Sequence, residues 1–295
     1  MSTVAIIGDV GGHADQLERC LAHLGVTSTR WPDGLTVVQV GDLLGGVDDL
    51  ACVDMVEPHL ESGRWVQLLG NWDSREIGWC FEPARKEPPD PVAEDLFVRW
   101  YVFGEAFHAA AVTTQAGATA VVTHAGVTAP FWRQHLGETS DALEAVARIN
   151  ALPVEVVHRP GQMLGFDSDP VNVDDGYPDD IELEEIAQRC AAVGPIWADT
   201  TDLWCGWLAV ASPWAQVHGH TSAWFRDDWS PYAPVEAVPY ARRDRQLCHT
   251  RYVSGQGSGP PLIGVGCSVY AARHLVLKPL VIPNAQVSTA VAARC

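Results

Sequence analysis

The chain has 295 residues, with 37 acidic side chains against 19 basic ones and a formal net charge of -18. Such a surface repels phosphate backbones, so nucleic acid is not expected as a partner. At 47% hydrophobic and 19% charged residues the chain is globular, with enough length for a full core, and no apolar run is long enough to span a bilayer.

The first residues run straight into a β-branched apolar stretch, Thr3 to Gly8, without the charged start of a secretory signal; a cytoplasmic protein with no membrane partner is expected. Gly11-Gly12 follow, and His13 to Leu24 reads as a helix with Leu17, Cys20, Leu21 and Leu24 on one face. After a Pro32-Asp33-Gly34 turn come a strand over 35–40, a helix over 48–60 with Asp48 as N-cap, and a strand over 65–69. This βαβαβ alternation predicts parallel neighbours covered by helices.

Residues 83–91 are charged and proline-rich, a loop; Val92 to Ala111 reads as one long helix whose Phe97, Trp100, Tyr101, Phe103 and Phe107 serve core packing. A strand over 118–122 and a helix over 140–152 come next. The acidic stretch 160–180 lacks the spacing of a calcium loop and reads as a solvent-exposed excursion, followed by a short helix to Ala192. Gly194 to Asp199 is a loop anchored by Trp197, and 214–217 is a strand. Residues 224–256 read as irregular and carry Arg226, Arg242, Arg243 and Arg245; 262–267 and 274–282 read as a final antiparallel pair, and the last dozen residues as frayed. Eight cysteines without metal-knuckle spacing, among them Cys20, Cys52 and Cys190 in apolar or helical contexts, predict reduced core thiols. No composition shift divides the chain, which predicts one α/β domain over 1–295 with insertions at about 80–117 and 137–193.

The chemistry sits at the strand ends. Four apolar runs stop at Gly8-Asp9, Gly41-Asp42, Gly70-Asn71 and Thr123-His124, and a fifth at His218-Gly219-His220-Thr221. Ligands gather outside the carboxyl ends of strands in such sheets. Carboxylate, amide oxygen and imidazole donors suit manganese, iron, zinc or magnesium, and an aspartate shared by two ions would build a site that clamps a phosphoryl oxygen and activates water. Singly, Asp42 or Asn71 could cap a turn and His124 could be a core histidine; five such residues in order point to a metal centre.

The series Gly8-Asp9, Gly41-Asp42, Gly70-Asn71, His124-Ala125-Gly126 and Gly219-His220-Thr221 resembles the calcineurin-like metallophosphoesterase superfamily. Gly194-Pro195-Ile196-Trp197 is similar to a segment of its phosphoprotein-phosphatase branch, which includes bacterial diadenosine tetraphosphate hydrolases. The resemblance implies a four-layer αββα sandwich with mixed central sheets, one or two divalent metals, and hydroxide attack on a phosphoester. It makes Asp42 the bridging ligand, with Asn71, His124 and His220 completing one metal site, and Asp9 a ligand of the other.

Departures are concentrated on the second site. The family's histidine two residues after the first aspartate is Gly11 here, and His13 either folds inward to replace it or simply starts the helix. The histidine after Asn71, which protonates the leaving group, is Trp72, an indole that only donates; Asp73 keeps the acidic position beside it. An Asp-Arg pair that steadies this histidine and the phosphate is replaced by Gly45-Gly46. His13 and Asp73 are the candidate catalytic side chains, and Trp72 and Trp197 the candidate substrate walls, with Trp79 read as packing. Two functions remain open: a metal-dependent phosphoesterase with a rebuilt site, or a repurposed relative that keeps one metal and binds a ligand or runs another reaction. A third reading, a nucleotide loop over 8–13, is disfavoured by the missing Gly-Lys-Ser/Thr and glycine spacing.

Overall fold

The computed structural model describes residues 2–46, 48–76, 90–159, 193–220, 237–244, 249–265 and 278–289. The proline-rich stretch up to residue 89, Trp79, the acidic stretch and the helix expected up to Ala192, Cys190, Arg226, Arg245 and the start of the strand expected over 274–282 lie outside them.

Two mixed sheets form the centre. The first has the order β11-β1-β2-β3-β4, in which β1 (Thr3–Ile7), β2 (Leu35–Gln39), β3 (Trp65–Leu68) and β4 (Ala106–Phe107) are parallel and β11 (Leu280–Pro283) closes one edge antiparallel. The second has the order β12-β5-β6-β7-β10-β9-β8. There β6 (Thr119–Thr123), β7 (Ala215–His218) and β10 (Pro261–Gly264) are parallel, while β5 (Ala109–Thr114), β12 (Ala285–Ser288), β9 (His249–Val253) and β8 (Ala241–Asp244) join antiparallel.

Side chains alternate across each strand, and that period assigns the layers. Val4, Ile6, Val38 and Leu68 meet Ala110, Val112, Val122 and Val217 between the sheets. Ala5, Ile7 and Val37 face the other way, against Leu17 of α1 (Ala14–His23), Val53 of α2 (Asp49–Leu60) and Phe97 and Trp100 of α4 (Pro91–Val102). On the far side Ala109, Ala111 and Val121 pack on Phe131 of α5 (Ala129–His135) and Val146 and Ile149 of α6 (Ala142–Ala151). The result is the expected αββα sandwich. Cys20 and Cys52 are buried in the first helical layer, and no described helix is long and apolar enough to cross a membrane. Shorter helices α3 (Asp73–Glu76), α7 (Val154–Val157) and α8 (Thr200–Gly206) link these layers.

Four expectations fail, each for a non-local reason. The helix expected over 92–111 stops at Val102; Gly104, at φ 77, turns the chain, and 106–114 enter the two sheets as β4 and β5. Alanine favours helix in isolation, but Ala109, Ala110 and Ala111 are fully buried between β6 and β12, and pairing overrides propensity. These strands fall inside the stretch expected as an insertion over 80–117. The strands near 262 and 280 do not pair: β10 lies beside β7 and β9, whereas β11 lies beside β1 in the other sheet. Residues 241–244 and 249–253 are a strand pair rather than irregular chain. The expected frayed end contains β12, which zips onto β5 after a turn at Asn284, φ 53. Asp48 does stand at the N-cap of α2, but its side chain makes no capping hydrogen bond.

Candidate metal centre

Because β1, β2 and β3 run parallel, their carboxyl ends deliver Asp9, Asp42 and Asn71 to one rim of the first sheet. β6 and β7 deliver His124 and His220 to the matching rim of the second. The two sets meet. His124 Nε2 lies 3.0 Å from Asn71 Oδ1, 3.1 Å from His220 Nδ1 and 3.6 Å from Asp42 Oδ1. Ligand atoms of Asp42, His124 and His220 all fall within 4.8 Å of one another.

The hydrogen-bond sense of this cluster is its most informative property. His124 Nδ1 lies 3.1 Å from the Val40 carbonyl oxygen, which only accepts, so Nδ1 carries the proton and Nε2 presents a lone pair. That lone pair faces two further acceptors, Asn71 Oδ1 and Asp42 Oδ1. Burial, reinforced by His220, holds the His124 ring neutral well below its ordinary range, and burial likewise lowers His220 to about 4. Neutral imidazoles, an amide oxygen and a carboxylate that converge without enough protons to share repel one another unless a cation lies among them. Neighbouring ligands about 2.0–2.2 Å from such an ion stand about 3 Å apart, so the donor set fits a divalent metal. The His220 Nε2 atom is buried without a hydrogen-bond partner among the described residues.

Local backbone geometry is also unusual here. Asp42 and His220 both adopt left-handed conformations, φ 55 and φ 64, which cost an ordinary residue about 1–2 kcal/mol and tend to mark functional sites. Their neighbours allow it by being glycine. A Cβ on Gly70 would lie 2.1 Å from Asp42 Oδ1, and one on Gly219 would lie 2.2 Å from Asp9 Oδ1. Beneath the loops, fully buried Gln39 donates to the Gly8 and Gly41 carbonyls and accepts from the Gly41 amide, while also receiving Gln67 from β3. Gln39 and Gln67 are polar residues inside apolar strands, a signal in the sequence that passed without weight.

Asp9 stands to one side. Its Oδ1 accepts from the His220 amide at 3.0 Å and lies 3.9 Å from His124 Nδ1. Burial pushes its carboxyl up to about 7, opposed by the His220 amide. Around it the first two loops are bonded backbone to backbone: the amides of Val10 and Gly11 donate to the Asp42 carbonyl and that of Gly12 to Leu43. A Cβ on Gly12 would sit 2.2 Å from the Gly46 nitrogen, and one on Gly46 2.4 Å from the Gly11 oxygen. Gly11, Gly12 and Gly46 are thus packed against each other.

The remaining candidates have definite places. His13 is the N-cap residue of α1, partly exposed, and its ring makes no capping bond; it is outside the converging group. Asp73 is fully buried and accepts from the backbone amides of Asp42, Leu44 and Gly70, at 2.7, 3.1 and 2.9 Å. Burial raises its carboxyl to about 6 against the pull of those three amides. Trp72 donates its amide to Asp42 Oδ1 at 2.8 Å, and its indole lies over Gly45, where a Cβ would approach Cε3 to 3.4 Å. Trp197 stands edge-on to the His220 ring, centroids 6.3 Å apart at 78°. Its loop docks behind His124, the Ala125 amide donating to the Pro195 carbonyl at 2.7 Å. Arg242 bonds the nearby carbonyls of Pro239 and Ala241.

No curated protein matches the chain. A family model described as calcineurin-like phosphoesterase matches residues 2–242, which takes in the strand ends that carry Asp9, Asp42, Asn71, His124 and His220. The chain belongs to the calcineurin-like phosphoesterase family.

Proposed function

We propose that the protein is a divalent-metal-dependent phosphoesterase that hydrolyses a small phosphorylated substrate. The observation that carries this reading is the meeting of Asp42, Asn71 and His220 around the His124 Nε2 lone pair, from four strand-end loops, with at most the one proton of His220 to share among them. Asp42, Asn71, His124 and His220 would hold the ion, with Asp9 beside them. A bound divalent ion polarises a phosphoryl oxygen and makes water a nucleophile at neutral pH.

The chain's own residues do the rest. Val40 fixes the His124 tautomer through its carbonyl, and the Trp72 amide orients the Asp42 carboxylate. Asp73 serves to hold the Asp42 and Asn71 loops in register rather than to move a proton, since three N–H donors match an ionised carboxylate. Trp72 and Trp197 give the site flat apolar walls, and Trp72 supplies no acid to the leaving group. Substrates whose leaving groups need no proton, such as aryl phosphates or anhydrides, suit it best. The Pro195 to Trp197 loop docked behind His124 supports placing the chain with the phosphoprotein-phosphatase branch. The loss of acid, arginine and one ligand together also favours a second reading, a repurposed relative that keeps one metal.

One experiment separates the two: metal content by elemental analysis, with hydrolysis of an aryl phosphate in added manganese. Manganese-dependent turnover that disappears in Asp42→Asn supports the hydrolase. Bound metal with no turnover of aryl phosphates, nucleotides, phosphosugars or phosphopeptides leaves only the repurposed reading.

A further inference from the structure

The loop after β2 carries Asp42 in a left-handed conformation, yet it has no side-chain scaffold of its own in Gly45 and Gly46. Its amides are instead gathered by two buried carboxylates. Asp73, the first residue of α3, takes the amides of residues 42 and 44. Asp49, the first residue of α2, takes those of residues 45 and 46 on one oxygen, at 2.9 and 3.0 Å. Asp49 is 2% exposed, and its Oδ1 sits where a Cβ on Gly12 would fall, 2.1 Å away, so it also backs the glycine contact with the first loop. Asp48 amide completes the tie by donating to the Gly12 carbonyl.

We propose that Asp49 is a positioning residue of the metal centre: it fixes the glycine loop that sets Asp42, and thereby sets the affinity for the divalent ion. In a side-chain-rich loop this work would fall to several contacts. Here two glycines bring maximal backbone freedom, and a buried carboxylate at the helix start removes it. The role is distinct from ligation, because Asp49 is outside the converging group. It also gives the paired replacements a common logic, in which loop amides turn away from the site and toward Asp49.

The inference rests on the metal reading above, and its test keeps the two apart. Titrate the full-length protein with Mn(II) by calorimetry, well below the melting temperature, comparing wild type with Asp49→Ala and Asp49→Asn. Outer partners of metal ligands are worth about 10- to 100-fold in affinity. Asp49→Ala is expected to weaken Mn(II) binding within that range. Asp49→Asn keeps an acceptor oxygen for both amides and is expected to stay within about threefold of wild type, given that orienting role. If Asp49→Ala does not fold, Asp49→Ser, with a shorter acceptor, takes its place with an expected loss of about tenfold. Wild-type Mn(II) affinity in the Ala or Ser variant, with only the melting temperature lowered, overturns the inference and leaves a structural carboxylate. Failure of the wild-type chain to bind Mn(II) overturns the metal reading itself, and the inference with it.

Discussion

The two sides of the metal centre are built on opposite plans. Around His124 the loops offer side chains: a carboxylate, an amide and two imidazoles, with acceptors facing acceptors and two residues held left-handed. Around Asp9 they offer almost none: Gly11-Gly12 and Gly45-Gly46 meet backbone to backbone, with Asp49 behind them. One side gathers acceptors that a cation would reconcile, and the other is tied together by backbone hydrogen bonds. The contrast teaches that two loops can be fixed to each other by small residues, their backbones meeting where side chains would otherwise intervene.

The largest effect should come from attacking the side that gathers acceptors. Asp42→Asn is expected to lower manganese-dependent turnover about 10³-fold or more, with a matching loss of Mn(II) affinity by calorimetry, since metal and water activation depend on that carboxylate. Turnover that survives the change would break the contrast at once. The side tied by backbone should answer in stability instead. Gly12→Ala adds a Cβ into the Asp49 and Gly46 contact at a φ of 68, and left-handed strain with overpacking predicts a loss of about 3 kcal/mol in urea unfolding. A loss below about 1 kcal/mol would mean that the two loops are not interlocked.

Smaller effects refine the picture. A positioned acid is worth 10²–10⁴-fold, and Trp72→His restores only part of one, so turnover of an alkyl phosphate should rise about tenfold, with little change for an aryl phosphate. No gain would point to repurposing beyond the loss of the acid. Last, pH should modulate the metal's effect on melting. The Asp9 carboxyl, raised by burial to about 7, binds its proton more tightly folded than unfolded. In the metal-free protein this group therefore makes stability fall as pH rises from about 4 to about 7, and nothing further is lost above. A cation stands in for that proton, so the manganese-induced rise in melting temperature should grow between pH 5.5 and 8. An increment that is flat or shrinks across that range, by thermal scans, would remove Asp9 from the metal's surroundings.

Much of this molecule was legible in its sequence because the relevant signals are local. A buried strand is a short apolar run, and its end is marked where Gly-Asp, Gly-Asn or His interrupts it. β1, β2, β3, β6 and β7, with the residues they deliver, were visible that way. Gly11, Gly45 and Gly46, where the resemblance implies side chains, and Trp72, where it implies a histidine, were visible too. Tertiary structure alone decided what those absences became. That Gly12 touches Gly46, that Asp49 rather than Asp48 organises the loop before α2, and that Asp73 holds amides rather than an imidazole are contacts between loops. The strands β4, β5, β8, β9 and β12, and the partner of β11, were lost for a related reason. They are two to six residues long, and most of their stabilisation comes from a partner strand far away in sequence. Periodicity reports which face of a segment is buried; it carries no information about which distant backbone will meet it, and backbone-to-backbone contacts leave the least trace in a sequence.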